Sequence, residues 1–247
     1  MADTINATTN IPILLYTHSE YSFLWKAAIP LLERYAKGFP IIWCCDSLLD
    51  YTLPPEWTLY KYNPSDIWSA RIKGCLEQID SEYLIYVQED MLLIDTLSSE
   101  RIDFCIEFMK DYGSEFFMSC PNNAINTKED YYDTNGYRIV SMFSHYFQPA
   151  IWKKSLLYEL SCLNIPMNMN ESEIAYNITK GRRCLGIYDL HFEKDMTTRS
   201  FFFPHIHAIN RGKWTFLKYP ALKALVEAYG IDTTTREVDT EWLIQWQ

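Results

Sequence analysis

Apolar residues fall in short runs along the first part of the chain, and each run ends in a polar or acidic step. Residues 11–16 (IPILLY), 40–45 (PIIWCC) and 83–87 (YLIYV) are runs of strand length with no polar interruption, as expected of strands buried on both faces. Residues 57–62 read as a further strand, broken by Pro64-Ser65-Asp66. Residues 23–36 place Leu24, Ala28, Leu31, Leu32 and Tyr35 on one side of a helix, which Gly38 and Pro40 then punctuate. Residues 68–79 are amphipathic as well. The order strand, helix, strand, strand, helix, strand predicts an α/β unit with a mostly parallel sheet. Ligands of such sheets bind beyond the carboxyl ends of the strands, where Thr17, Asp46 and Gln88-Glu89-Asp90 all stand.

The second half is less regular. A helix is expected over 101–112 and a strand over 116–120. The polar, turn-rich stretch 122–136 reads as a loop or lid. Strands over 137–143 and 147–152 are followed by helical patterns over 153–163 and 171–180. Residues 184–187 and 201–209 bracket another polar loop, and 217–229 form an amphipathic helix stopped by Gly230. No repeat or Ser/Gly linker interrupts the chain. A single domain over 1–247 is expected, with one half at about 11–120 and a second at about 121–247 that includes the C-terminal helix.

Composition narrows the function. The chain has 247 residues, 48% of them hydrophobic and 22% charged, which excludes a mainly disordered protein. The formal net charge of −10 argues against a nucleic-acid binder, because neutralising phosphates needs a basic surface. No stretch of 18 apolar residues predicts a membrane span, no basic amphipathic helix advertises a membrane surface, and the polar residues 1–10 do not read as a secretory signal. The seven cysteines (44, 45, 75, 105, 120, 162, 184) form no C-x-x-C pair and read as small hydrophobes in a reducing compartment, so a cytoplasmic protein is expected. Three N-x-S/T sequences then count as chance matches. Aromatics reach 16%, with 18 Tyr and 8 Trp, which suits sugar stacking and ordinary cores equally.

The acidic pair Glu89-Asp90 follows one apolar run and precedes another, Met91-Leu92-Leu93-Ile94. Carboxylates at a strand end can hold a hard divalent cation such as Mg²⁺ or Mn²⁺, or can simply cap a solvated turn. Here the sequence resembles the GT-A-type glycosyltransferases, whose D-x-D-like motif after a hydrophobic strand binds metal and sugar-nucleotide diphosphate. The likeness extends to Asp66-Ile-Trp68-Ser69-Ala-Arg71 and to the Glu82-Tyr83…Tyr86-Val-Gln88-Glu89-Asp90 strand. It continues through Phe147-Gln148-Pro149-Ala150-Ile151-Trp152, an N-E-S-E step, and Ala208-Ile209-Asn210-Arg211-Gly212-Lys213-Trp214. These pieces look like glycosyltransferase-like proteins of surface-polysaccharide clusters and large viruses, and together they cover most of residues 11–214. One departure is that Gln88 stands where the motif has a carboxylate, which shifts metal binding toward Asp90.

The resemblance implies a site. Thr17, Tyr21 and Asp46 fall where GT-A proteins hold the nucleoside, and Asp46 could accept from a base N3–H or from ribose hydroxyls. Arg71, Gln88 and Glu89 would face the donor, and Arg211 and Lys213 would stabilise the leaving diphosphate around a Gly that allows close backbone approach. Asp90 would bind the metal. His205 and His207, which alternate with Ile206 and share one side of an extended segment, would complete the metal site or else be ordinary strand-end histidines. His18, His145 and His191 read as structural. Glu171 and Glu173 open the 171–180 helix, where the dipole favours carboxylates in any case. The GT-A pattern places the base of an inverting transferase there, with Glu173 favoured over Glu171. Trp68, Trp152 and Trp214 are candidate sugar-stacking rings or core residues, and Tyr131-Tyr132-Asp133 is a candidate acceptor lid.

The expectation is therefore a GT-A-like glycosyltransferase that moves a sugar from a nucleotide-diphosphate sugar to a hydroxyl of a glycan, lipid-linked saccharide or glycoprotein, with Mn²⁺ or Mg²⁺ as cofactor. Two rivals remain. A sugar nucleotidyltransferase shares the sheet but wants a Gly-rich basic loop after the first strand, and residues 17–23 contain no Gly, Lys or Arg. A glycan-binding module on a decayed transferase fold would account for Gln88, since fold does not guarantee activity.

Overall fold

The computed structural model describes residues 11–119, 125–134, 137–142, 145, 147–166, 183–189 and 200–240. Its centre is a nine-stranded sheet in the order β3-β2-β1-β4-β9-β6-β10-β8-β7. The strands are β1 (Ile13–Tyr16), β2 (Ile41–Cys45), β3 (Thr58–Lys61), β4 (Tyr83–Gln88), β6 (Ser114–Met118), β7 (Ile125–Thr134), β8 (Tyr137–Met142), β9 (Ala150–Lys153) and β10 (Arg183–Asp189). The first four pair parallel. Only β9 and β8 run against the rest, so seven of the nine strands share one direction. The large, mainly parallel sheet expected from the sequence is present.

Strand order reverses between β1 and β4. The chain passes from β1 to β2 and β3 on one side, then returns to lay β4 against the other side of β1, with Tyr16 opposite Gln88. Two neighbouring strands whose connections leave in opposite directions open a crevice at their carboxyl ends, which is where open α/β sheets bind ligands.

Helices cover both faces. Side chains of β1 alternate, so Ile13 and Leu15 enter one core while Leu14 and Tyr16 enter the other. The first core takes α1 (Ser22–Tyr35), α3 (Ser99–Tyr112) and α5 (Pro220–Ala228), and the second takes α2 (Trp68–Leu76) and α4 (Lys154–Ser161). Capping follows the sequence: the Ser98 hydroxyl accepts from Arg101 N at 3.3 Å to open α3, Gly113 closes it at φ 64°, and Pro220 starts α5.

One expectation changes, and the structure places two segments the sequence left open. The 122–136 stretch, read as a loop or lid, contains β7, which pairs antiparallel with β8 across register shifts. As an edge strand, β7 is held by backbone hydrogen bonds and needs no apolar run to form. The three motif tryptophans are core residues: Trp152 and Trp214 are fully buried, and Trp68 packs edge-on to Phe147 and donates to Tyr86 Oη at 3.3 Å. The apolar run after the acidic pair becomes β5 (Met91–Leu93), which leaves the main sheet to pair with β11 (His205–His207). Among the described residues, no helix is long and apolar enough to cross a membrane.

Candidate functional site

The acidic pair sits at the reversal of strand order. β4 is buried along its length up to Gln88, and Glu89 and Asp90 form the turn into β5. On the antiparallel β5–β11 ribbon His207 lies opposite Met91 and His205 opposite Leu93. Ala208 N donates to Asp90 O at 2.6 Å and locks the ribbon end to the acidic turn. The Thr215 hydroxyl holds the His207 carbonyl from the far side.

This places His207 Nε2 3.0 Å from Asp90 Oδ2. The other carboxylate oxygen, Asp90 Oδ1, is buried without a hydrogen-bond partner. A buried, unsatisfied carboxylate oxygen is costly and wants a donor or a cation. Glu89 is buried beside it, and that burial, reinforced by the Asp90 charge, pushes its carboxyl well above the ordinary 4.5. His205 follows the opposite sign. Burial lowers it to about 4 against a hydrogen bond to Phe203 O that would raise it, so it is neutral at physiological pH. A carbonyl only accepts, so the His205 proton sits on Nδ1, which donates to Phe203 O at 2.8 Å. Among the described residues no three His, Cys, Asp or Glu side chains converge on one point. Asp90 and His207 are brought together, while His205 shares their ribbon and bonds to backbone.

The other expected donor residues fall into two groups. Tyr21 stays at the site. Burial raises its phenol, the charges of Glu89 and Asp90 add to that, and Arg236 opposes it. Gln88 ends β4 next to them. Thr17, Asp46 and Arg71, by contrast, build the loops around the crevice. Thr17 is fully buried, its hydroxyl accepts from Trp25 Nε1 at 2.6 Å, and its carbonyl accepts from Tyr62 Oη at 2.7 Å. Asp46 Oδ1 and Oδ2 accept from Ser19 N and Oγ at 2.7 and 2.6 Å. Burial would raise its carboxyl, but these bonds prevail and hold it low. Arg71 donates to Asp66 O, Pro64 O and Tyr16 Oη while stacking over Tyr62 at 4.7 Å.

The Arg211-Gly212-Lys213 step is a tight hairpin. Arg211 and Gly212, at φ 50° and 80°, join β12 (Ile209–Asn210) to β13 (Lys213–Trp214), and positive φ at both central residues is the hairpin geometry that matches strand twist. Arg211 is exposed at the tip, and Lys213 pairs with Glu237 at 3.2 Å. Glu171 and Glu173 lie outside the described residues, as do His191 and the side chains of Tyr131, Tyr132 and Asp133. His18 and His145 lie in aromatic surroundings.

Several neighbours escaped the sequence reading. A pocket of about 150 Å³ is lined by Gln148, His207, Asn210, Thr215, Lys218 and Asp239. Gln148 and Asn210 stood inside motifs singled out for other residues. Asp239 and Arg236 come from the polar segment after α5, which carries no periodicity or motif. That segment is fixed by Trp214 N donating to Glu237 O and Asp239 N donating to Trp214 O, both at 2.8 Å. The Arg236 guanidinium stacks on Tyr21 and Phe23 at 5.0 and 4.9 Å and donates to Gly212 O at 3.2 Å.

No family model matches the sequence, and neither does any curated protein. Among solved structures the chain is similar to a mannosyltransferase from Pyrobaculum calidifontis, solved in complex with GDP-Man and Mn2+, at TM-score 0.51 and 11% identity over 82% of this chain and 58% of that one. It is also similar to S. aureus TarS 1-349, at TM-score 0.47 and 11% identity over 89% of this chain and 65% of that one. A third is a UDP-glucose pyrophosphorylase complexed with UDP-glucose, at TM-score 0.45 and 11% identity over 74% and 94%. The chain thus spans less than two thirds of the length of the first two. The likeness to the mannosyltransferase, with the large, mainly parallel central sheet, shows a GT-A-like α/β fold.

Two predictions follow from this arrangement. Thr17→Val keeps the side-chain shape but leaves the Trp25 indole N–H unsatisfied, so urea denaturation should show a loss of about 1–3 kcal/mol. For Glu89, the unfolded chain releases the proton near 4.5 while the folded chain keeps it to higher pH. The stabilisation tied to that proton is full below 4.5 and is lost as pH rises through the folded-state value. Glu89→Gln, which imitates the protonated form, should therefore match the wild-type melting temperature at pH 4 and exceed it at pH 8.

Proposed function

We propose that the protein is a glycosyltransferase that moves a sugar from a nucleotide-diphosphate sugar to a hydroxyl of a glycan, lipid-linked saccharide or glycoprotein. The observation that carries the reading is the Asp90 carboxylate at the strand-order reversal, with one oxygen on His207 and the other buried and unpartnered. That donor set fits a divalent cation such as Mn²⁺ or Mg²⁺, because a cation held by few protein ligands completes its sphere with substrate phosphate oxygens. Asp90 and His207 would hold it, and when bound it would offset the charge growing on the leaving diphosphate.

The remaining groups act on their own account. Burial and the Asp90 charge both disfavour the ionised form of Glu89, which lessens the repulsion between the acidic turn and the donor's phosphates. Tyr21, stacked under the Arg236 guanidinium, lies near enough to the acidic turn to feel the charges of Glu89 and Asp90. The deprotonation of the acceptor hydroxyl is assigned by resemblance to Glu173, or else Glu171, which implies inversion at the anomeric carbon. A nucleotidyltransferase is disfavoured by the loop after β1. A triphosphate there would meet the Asp46 carboxylate, which already binds Ser19, and no cation from the loop itself.

The test is a thermal-shift and donor-hydrolysis panel with UDP, GDP, UDP-glucose and GDP-mannose, each with and without Mn²⁺, on wild type and Asp90→Asn. At 100 times Kd the ligand should add about 2.7 kcal/mol of stability. The expected result is a Mn²⁺-dependent rise with one nucleotide family, lost in Asp90→Asn together with donor hydrolysis. A rise that survives in Asp90→Asn would overturn the role of Asp90, and no rise with any nucleotide would overturn the transferase reading in favour of a glycan-binding module.

A further inference from the structure

The pocket next to the Asp90–His207 pair is uniform in its chemistry. All six lining residues carry hydrogen-bonding side chains, and its volume of about 150 Å³ is well above the roughly 10–15 Å³ that holds one water. We propose that this pocket is a sugar-ring subsite in which Asn210 and Asp239 together hold vicinal hydroxyls. The inference rests on the nucleotide-sugar reading above and deepens it by naming the chemical group the pocket takes.

The two side chains are fixed relative to each other before any ligand arrives. Asn210 Nδ2 donates to Asp239 Oδ2 at 2.9 Å, and Asp239 is nine-tenths buried. Asn210 ends β12, whose two-residue turn leaves its backbone little freedom, and Asp239 N is pinned to Trp214 O. The pair joins an amide, which both donates and accepts, to a carboxylate, which only accepts. Adjacent ring hydroxyls, each a donor and an acceptor, match that edge. Such bidentate pairing returns the desolvation cost of both partners, whereas an apolar ligand would bury the same groups without compensation.

The lining carries one carboxylate, Asp239, and one ammonium, Lys218, so it offers a diphosphate no net positive charge, whereas a neutral polyol can use the Lys218 and Gln148 donors together with the Asp239 acceptor. The ring must lie close to the leaving group, and His207 meets that need because it both lines the pocket and touches Asp90. The hydroxyls could belong to the donor's sugar or to the acceptor's, since the two meet at the bond being made.

Calorimetry with UDP, GDP, UDP-glucose and GDP-mannose, and saturation-transfer NMR with free glucose and mannose, distinguish the sources. Wild type is compared with Asp239→Asn, which keeps the shape, and with Asn210→Ala as a second variant. Melting curves confirm that each is folded. If the pair reads the donor ring, the variants weaken the nucleotide sugar by about ten-fold or more, equivalent to about 1.4 kcal/mol, and leave the nucleoside diphosphate unchanged. If it reads the acceptor ring, nucleotide binding is unchanged and saturation transfer from the free monosaccharide is lost. Equal losses for diphosphate and nucleotide sugar, or no change in any readout, would overturn the proposal. If wild type binds no nucleotide, the transferase reading falls, and the pocket stands or falls on the monosaccharide arm.

Discussion

The contact between Asp90 and His207 joins two parts of the chain that are otherwise organised separately. Asp90 ends the parallel half of the sheet, whereas His207 arrives on a ribbon from beyond the mixed half. Asp90 Oδ2 takes its partner from outside β4, in His207 Nε2. The β5–β11 ribbon, the Ala208–Asp90 bond and the Thr215 hydroxyl that fixes the His207 carbonyl all serve this one placement. The anchoring extends further back. The Ser119 hydroxyl accepts from Phe202 N and Phe203 N at 3.2 Å, so the strand that carries His207 starts from a bolted position.

Around that contact the structure separates groups that hold the site's walls from groups free to meet a ligand. Thr17, Asp46 and Arg71 have polar atoms committed to protein partners, and their strand-end location serves loop geometry. Asp90 keeps an uncommitted oxygen. The segment after α5 adds a third layer. Through Arg236 it grips the Tyr21 ring of the loop after β1 and the Phe23 ring at the start of α1, and through Asp239 it completes a polar pocket with Asn210. Cation–π stacking on two rings orients a guanidinium at lower entropic cost than a solvated arm would bear.

Much of the architecture was legible because it is written in periodicity. The runs at 11–16, 40–45 and 83–87 had to be doubly buried strands, and their polar terminators marked the crevice. The alternation of His205 and His207 about Ile206 was legible for the same reason, since strand phase tells which side chains share a face. What remained hidden depends on long-range pairing. Nothing local announces that Trp25 will claim the Thr17 hydroxyl. The hairpin at Arg211 and Gly212 was hidden because R-G is not the usual N-G signal of a two-residue turn. β7 was missed because an edge strand can be polar throughout, and Asp239 because its role arises only when Trp214 threads between Glu237 and Asp239.

The separation of Asp90 from His207, 117 positions along the chain, also bears on how the protein comes to exist. The parallel unit around β1 and β4 closes over shorter separations, such as Tyr16 to Gln88. Closing the loop that brings the ribbon home carries the larger entropic cost and should come late. During synthesis the acidic turn therefore emerges well before its histidine, with a hydrophobic strand end still open. Until the last segments dock, the nascent chain would lack the Asp90–His207 pair and leave that strand end uncovered, so the site would form as the apolar surface beside it closes.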